Sequence, residues 1–182
     1  MIRQTMSCGR RLARQARLFP VVLLLASPSA PALAAAKSVA VFDFQLIDSS
    51  LQGSMEGVDP AQTKRLEKMA PELRDDIGHL PGYQIVDTGP VEKKADAQYL
   101  SSCGNCALGL AKQVGADVAV VGTVQKVSNL ILNINAYAFD VTSGKEIARG
   151  SADIRSNTDE SWHRGLAYLW KNVLKKQFEQ AK

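Results

Sequence analysis

The chain has 182 residues, of which 46% are hydrophobic, 22% charged and 6% aromatic, and its formal net charge is +4. This length and apolar content suit one domain with a buried core. The positive charge does not indicate a nucleic-acid-binding surface, because it comes from five arginines among the first 34 residues. The rest of the chain carries 17 basic and 18 acidic side chains.

The first 34 residues have the order of a secretory signal peptide. Five arginines precede an apolar run over residues 18–26, and small residues then lead to Ala32-Leu33-Ala34. A run of about nine residues is too short to span a bilayer, which needs roughly twenty. We therefore predict a cleaved signal peptide over residues 1–34 and a single α/β domain over residues 35–182. The mature protein should begin near Ala35 or Lys37, after general secretion into the periplasm, and should have no membrane span or lipid anchor.

The first half of the domain begins with a predicted buried strand over residues 38–47. The Gly- and Ser-rich residues 48–57 are expected to form a loop. Asp59-Pro60 is typical of a helix start, and Pro71 should kink or split the helix that follows. The apolar stripe of this helix consists of Leu66, Met69, Leu73 and Ile77.

A short second strand is predicted over residues 83–86, after Pro81-Gly82 ends the helix. Residues 89–102 are polar and are expected to be irregular. Residues 106–114 read as a second short helix, which Gly115 would end.

Three strands and one helix are predicted in the second half. The strands cover residues 117–127, 130–141 and 145–155. In the middle strand, one face carries Leu130, Leu132, Ile134, Ala136 and Ala138, while Asn133 and Asn135 lie on the other. Asn157, Thr158 and Asp159 are candidate caps for the last helix, and Glu160 is placed to form a capping box with Asn157. The buried stripe of that helix would be Trp162, Leu166, Leu169, Trp170, Val173, Leu174 and Phe178.

The predicted order is β-α-β-α-β-β-β-α, a mixed sheet with helices packed on it. The first strand VAVFDF, the segment GADVAVVGTVQKV and the antiparallel strands after it resemble a known group of periplasmic α/β domains. This group includes the amino-terminal domain of the translocation protein TolB and the curli secretion lipoprotein CsgG. The segment NTDESW and the cysteine pair resemble more closely small families of secreted proteins of unknown function. The resemblance implies a TolB-like or CsgG-like fold that binds other envelope proteins and catalyses no reaction.

Cys103-Gly104-Asn105-Cys106 is the motif whose side chains could most readily carry out a reaction. Because Cys8 would leave with the signal peptide, these are the two cysteines of the mature chain. In an oxidising periplasm they predict a structural disulfide that joins the loop to the second helix. The alternative is thiol–disulfide exchange by Cys103 and Cys106, since a helix N-terminus stabilises a thiolate. Thioredoxin-like enzymes place their Cys-x-x-Cys closely after a strand and present a cis-proline to the active site. Here a polar segment separates the pair from the preceding strand, and no proline follows Pro90.

Metal and cofactor sites have little support in the sequence. Covalent haem attachment requires histidine directly after the second cysteine, where Ala107 stands. Zinc would require His79 and His163 to join the cysteines, and neither has the spacing of a zinc motif. No nucleophile–base pattern of a hydrolase is present. We therefore predict no metal, no cofactor and no catalytic residue beyond the alternative cysteine pair.

Two further groups of residues have both a structural and a functional interpretation. Asp43, Asp87 and Asp117 lie in or beside strands and could converge at one end of the sheet. Such residues more often cap helices or accept hydrogen bonds in turns. Trp162 and Trp170 are eight residues apart on one helical face, which favours core packing over a stacking platform.

The sequence therefore predicts a non-enzymatic periplasmic accessory or interaction protein with a structural disulfide. Its partner would be an envelope or periplasmic protein, not a nucleic acid. The families that it resembles sometimes occur with periplasmic quinoprotein alcohol oxidation, so support of such an oxidation system is one form of this role. Envelope-stress or transport support through self-association is a further expectation, because the strands near residues 130–141 could leave a pairing edge. A small thiol-redox protein is the alternative.

Overall fold

A six-stranded mixed sheet forms the centre of the protein in a computed structural model that describes residues 35–181. The strands are β1 (Lys37–Val41), β2 (Gln45–Asp48), β3 (Tyr83–Ile85), β4 (Val118–Ser128), β5 (Ile131–Asp140) and β6 (Glu146–Ile154). The helices are α1 (Leu51–Glu56), α2 (Pro60–Gly78), α3 (Glu92–Asp96), α4 (Cys106–Gln113), α5 (Asp159–Leu169) and α6 (Lys175–Gln180). A 3₁₀ turn covers Gly89–Val91, and a π-helical turn over Trp170–Leu174 joins α5 to α6. The predicted α/β class with a mixed sheet is confirmed, while the predicted signal peptide lies outside the described residues.

The sheet combines a parallel half with an antiparallel half. Its order is β3-β1-β4-β5-β6, and β2 pairs with β4 beyond the end of β1. Strands β1 and β2 both run parallel to β4, and β3 runs parallel to β1, whereas β4, β5 and β6 form an antiparallel meander. Parallel neighbours need a crossover connection, and α2 supplies it between β1 and β3. Helices α3 and α4 lie on the connection from β3 to β4, which are on opposite sides of β1.

Helices cover the two faces of the sheet unequally. On one face α2, α5, the π-helical turn and α6 enclose the main core. On the other face α3 and α4 enclose a smaller core that includes Ala119 and Val121 of β4. Further along this second face the sheet carries polar side chains, and Asn133 Nδ2 donates to Ser151 Oγ (2.8 Å) and to Asp153 Oδ1 (2.6 Å).

The predicted first strand is in fact two strands. The backbone leaves the sheet at residues 42–44 and then returns as β2, with Gln45 opposite Thr123 of β4. Phe44 fills the space over Gly122, where any side chain would collide with its ring. The break therefore buries an aromatic ring between the two short strands, and the continuous strand predicted over residues 38–47 is wrong.

Two segments predicted to be irregular contain helices. Residues 51–56, within the predicted loop, form α1, whose first turn Ser50 caps by accepting a hydrogen bond from the Gly53 amide (3.0 Å). Within residues 89–102 the chain forms the 3₁₀ turn and α3, which bury Val91 and Ala95 in the smaller core. In both segments contacts with the rest of the fold outweigh weak local helix propensity.

Helix α2 runs unbroken through Pro71, so the predicted split is wrong. Pro71 is exposed, while Met69, Leu73 and Ile77 are buried in the main core as their spacing predicts. Burial of this apolar face outweighs the hydrogen bond that proline cannot donate.

The last helix confirms the predicted apolar stripe and one of the three candidate caps, but not the capping box between Asn157 and Glu160. Trp162 and Trp170 are 2% and 4% exposed. Thr158 is the N-cap, and its partner in the capping box is Ser161. Asn157 instead accepts a hydrogen bond from Trp162 Nε1 (2.9 Å), which draws it away from the helix start.

Strand β5 lies between β4 and β6, so the strand over residues 130–141 is itself no pairing edge, and its neighbour β6 is. Leu130 lies in the turn before β5 and is exposed, whereas Leu132, Ile134, Ala136 and Ala138 are buried as predicted. The edge strand on this side is β6. Gln177 of α6 partly occupies that edge, because its side-chain amide accepts from Arg149 N (2.9 Å) and donates to Arg149 O (2.9 Å).

Candidate functional site

The Cys103–Cys106 pair lies where the loop after α3 enters α4. The structure joins the two sulfurs in a disulfide, and Cys106 is the first residue of α4. Gly104 between them has a φ of +70°, a conformation that glycine adopts without strain. Both cysteines are half-buried against the smaller core. The disulfide thus ties the loop to the start of the helix.

An open cleft of about 500 Å³ lies beside this loop. Val121, Tyr137 and Phe139 of the sheet line it, opposite Leu108 of α4, and Glu146 is the charged residue of its lining. His163, on α5, contacts Glu72 of α2 (2.9 Å) and so lies on the main-core face, away from the disulfide. His79 follows the end of α2. The structure does not bring the predicted cysteines and histidines together, and no metal-binding group of three or more His, Cys, Asp or Glu occurs within residues 35–181.

The three predicted carboxylates do not converge. Asp43 and Asp87 follow β1 and β3 at one end of the sheet, whereas Asp117 precedes β4 at the other end. Each accepts a structural hydrogen bond: Asp43 from Arg74 (2.8 Å), Asp87 from Gly89 N (2.9 Å) and Asp117 from Ser38 N (2.8 Å). Hydrogen bonds from the Ser38 side chain and backbone lower the pKa of Asp117.

Exposed apolar side chains that were not predicted from the sequence are concentrated at one end of the sheet. Nine large apolar side chains are exposed among the described residues, and seven of them lie in two short segments. These seven, which we call the apolar end, are Ile47, Leu51, Met55, Val58, Val127, Leu130 and Ile131. Large exposed apolar patches on soluble proteins mark interaction sites, whereas single exposed residues need no explanation.

Strand pairing brings the two segments of the apolar end together. Asp48, at the end of β2, lies opposite Lys126 of β4, and Ser49 N donates to Lys126 O (2.9 Å). The segment that contains α1 therefore starts beside the turn between β4 and β5. Within α1, Leu51 and Met55 are one helical turn apart and are 75% and 77% exposed.

An ion pair between the buried Lys126 and the partly exposed Asp48 holds α1 in place. Lys126 is 2% exposed, and its ammonium donates to Asp48 Oδ2 (3.1 Å). Asp48 Oδ1 accepts from Ser50 N (2.8 Å), and Ser50 caps α1. Gly53 packs directly on the Asp48 carboxylate, since an added Cβ would lie 2.6 Å from Oδ2. Burial raises the pKa of Asp48, but hydrogen bonds from Ser50 and the hydrogen bond and charge of Lys126 outweigh it, so that the pKa is lowered overall.

The sequence held one signal for this site. Leu51, Met55 and Val58 follow the spacing of an exposed helical stripe, but the Gly and Ser residues between them favoured a loop. Lys126 gave no signal, because lysine is rarely buried and its partner is 78 residues away.

The fold is similar to those of several solved proteins. The C-terminal domain of LpoB from Salmonella enterica is 15% identical, with a TM-score of 0.47 over 70% of this chain and 88% of that chain. Lipoprotein GNA1162 from Neisseria meningitidis is 19% identical, with a TM-score of 0.45 over 66% of this chain and 81% of that chain. TolB from Acinetobacter baumannii is 9% identical, with a TM-score of 0.41 over 78% of this chain and 30% of that chain, a weak and partial similarity. Similarities at this level carry no information about function.

No curated protein matches the chain. Among the described helices, none combines the length and the apolar character that a bilayer span requires. A family model does match residues 37–174, which is most of the domain, and its description is "Protein of unknown function (DUF2380)". The chain therefore belongs to this family, DUF3280.

Proposed function

We propose that the protein is a non-enzymatic accessory protein of the periplasm that docks onto another envelope protein through the apolar end. The observation that carries this proposal is the presence of seven of the nine exposed large apolar side chains at one end of the sheet. An ion pair to the buried Lys126 fixes α1 with Leu51 and Met55 outward, so the surface is formed before a partner binds. Preorganisation of this kind reduces the entropy lost on binding.

The other candidate groups have structural roles that fit this proposal. Asp43, Asp87 and Asp117 accept hydrogen bonds that fix the ends of strands. The Cys103–Cys106 disulfide closes a short loop at the start of α4. Support of a periplasmic oxidation system is a finer form of the proposed role, and it rests on the family resemblance alone.

Site-specific photocrosslinking in the periplasm tests the proposal. A photoreactive amino acid at Met55 should give a discrete crosslinked product in cells that express the full chain, because this side chain is 77% exposed within the proposed docking surface. The same substitution at Tyr168, which is 57% exposed on α5, is the control and should not give that product. Leu51→Ser should abolish the Met55 product. Equal crosslinking at Met55 and Tyr168 would contradict the proposal.

Thiol–disulfide exchange is the second candidate, and one observation favours it. Cys106 begins α4, and the N-cap Asn105 makes no side-chain hydrogen bond to the first turn. The free amides of that turn would stabilise a thiolate at this position. The variant Cys106→Ser distinguishes the two functions.

A further inference from the structure

We infer that the apolar end receives a protein segment in which lysine or arginine flanks aliphatic residues, and that the basic side chain enters a cleft beside α1. This inference rests on the proposed docking function and adds the chemistry of the partner. The cleft has a volume of about 380 Å³, and its lining includes the carboxylate residues Glu56 and Asp59, the apolar Val58 and Pro60, and the buried Lys126. The cleft thus lies directly beside the exposed stripe of Leu51, Met55 and Val58 along the chain.

The charges beside the stripe are acidic. Residues 47–59 and 126–131 contain three carboxylates, on Asp48, Glu56 and Asp59, and one ammonium group, on Lys126. Lys126 is buried and paired with Asp48, so the charge presented at the surface comes from Glu56 and Asp59. Neither of these two forms an ion pair within residues 35–181.

Hydrogen bonds hold the Glu56 and Asp59 carboxylates in place and leave each group able to bind a ligand. Gln52 Nε2 donates to Glu56 Oε2 (2.8 Å), and Ala61 N donates to Asp59 Oδ1 (2.9 Å). Among the described residues, the hydrogen bonds use one oxygen of each group, so a second oxygen on each can accept from a cation. A lysine or arginine can pack its aliphatic stem on Met55 and Val58 while its charged end reaches the carboxylates. An anionic membrane surface does not fit, because two uncompensated carboxylates would repel it.

Binding of two matched amphipathic peptides to the full mature domain tests the inference. One helical peptide contains leucine and lysine, and the other contains leucine at the same positions and glutamate in place of lysine. We expect the leucine/lysine peptide to bind roughly three- to tenfold more tightly, since each exposed ion pair contributes about 0.2–1 kcal/mol. The preference should fall as salt is added.

Two sets of variants separate this inference from the proposed function. Glu56→Gln with Asp59→Asn removes both charges and keeps the helix cap, because asparagine also caps helices. It should abolish the preference between the peptides, whereas Glu92→Gln with Glu179→Gln changes the net charge equally and should preserve it. Leu51→Ser with Met55→Ser should weaken binding of both peptides, and failure to do so would contradict the docking function itself.

Three outcomes would overturn the inference alone. They are equal affinity for the two peptides, loss of the preference in the control pair, and tighter binding to anionic vesicles than to the leucine/lysine peptide. Self-association that Leu51→Ser abolishes would instead identify a second copy of the chain as the occupant.

Discussion

At the scale of single residues, Cys103 and Cys106 decide between the two candidate functions. If their disulfide is structural, changing both to serine should lower the free energy of unfolding by about 2 kcal/mol at most, because a short loop restricts little of the unfolded chain. Urea denaturation would measure this loss. Crosslinking from Met55 should be unchanged, since the apolar end lies on other elements.

The single variant Cys106→Ser tests the alternative that the cysteine pair is catalytic. The remaining Cys103 thiolate would then attack substrates and form mixed disulfides that cannot resolve. Non-reducing gels of periplasm would show discrete products that disappear with reductant. Such products would establish the redox function, and we expect none.

Trp170 is the residue whose loss should destabilise the last helix most clearly. Its ring is buried and lies edge-on to Phe178, with 5.8 Å between centroids. Trp170→Ala should lower the free energy of unfolding by about 3–5 kcal/mol, the range for deleting a large aromatic side chain from a core. Tyr168→Ala, two residues earlier on the exposed side, should change it by about 0.5 kcal/mol or less. Similar losses for the two variants would contradict the observed packing.

At the scale of elements, α1 depends on the ionised form of Asp48. The pKa of Asp48 is lower in the folded protein than its ordinary value of 3.8. A lowered pKa contributes stability above the unfolded value and loses it as the pH falls through the folded value. We therefore expect α1 to stay docked at neutral pH and to be released only as the pH falls below 3.8, through the lower pKa that Asp48 has in the folded protein.

The measurement is the pH dependence of the free energy of unfolding, compared between the wild type and Asp48→Asn. Asp117, Asp140 and Asp159 also have lowered pKa values, so the comparison isolates the part due to Asp48. Asp48→Asn leaves the Lys126 ammonium buried and unpaired, which typically costs about 3–5 kcal/mol. Adding Lys126→Met should recover part of this loss. Identical acid dependence in the wild type and Asp48→Asn would contradict the role of the ion pair.

The elements predicted correctly are those with a clear local pattern. Alternation along β5 identified Leu132 and Ile134 as buried, and helical spacing identified Trp162 and Trp170. The prediction of α1 failed because its glycine serves a contact with Asp48, which no local pattern shows.

Features that depend on distant residues were beyond the sequence. The position of β5 inside the sheet follows from the pairing of strands, and the burial of Lys126 follows from a carboxylate on another strand. Among the three candidate caps of α5, local sequence could not single out Thr158, because Asn157 accepts a hydrogen bond from Trp162 on the helix instead. The disulfide could be predicted from the sequence, because two cysteines in a chain predicted to be exported have few alternatives to pairing with each other.

At the scale of the whole molecule, the first prediction concerns export. The arginine-rich start and the small residues at Ala32-Leu33-Ala34 predict cleavage, so the mature protein should begin between Ala35 and Lys37. Mass spectrometry of the periplasmic fraction would give this N-terminus. Recovery of the chain with Met1 intact would contradict both the location and the near-neutral charge of the mature protein.

The hydrogen bonds between Gln177 and the edge strand β6 have a consequence for exchange of amide hydrogen with solvent. The Arg149 amide is bonded to a side chain of α6 and not to a neighbouring strand, so its protection lasts only while α6 is docked. Arg149 should therefore exchange at the rate at which the C-terminal helix frays, faster than the strand-paired amides of β5. The same fraying would free a backbone donor and acceptor at the edge of the sheet. The C-terminal helix thus occupies, at Arg149, one of the backbone positions through which another strand would pair with β6.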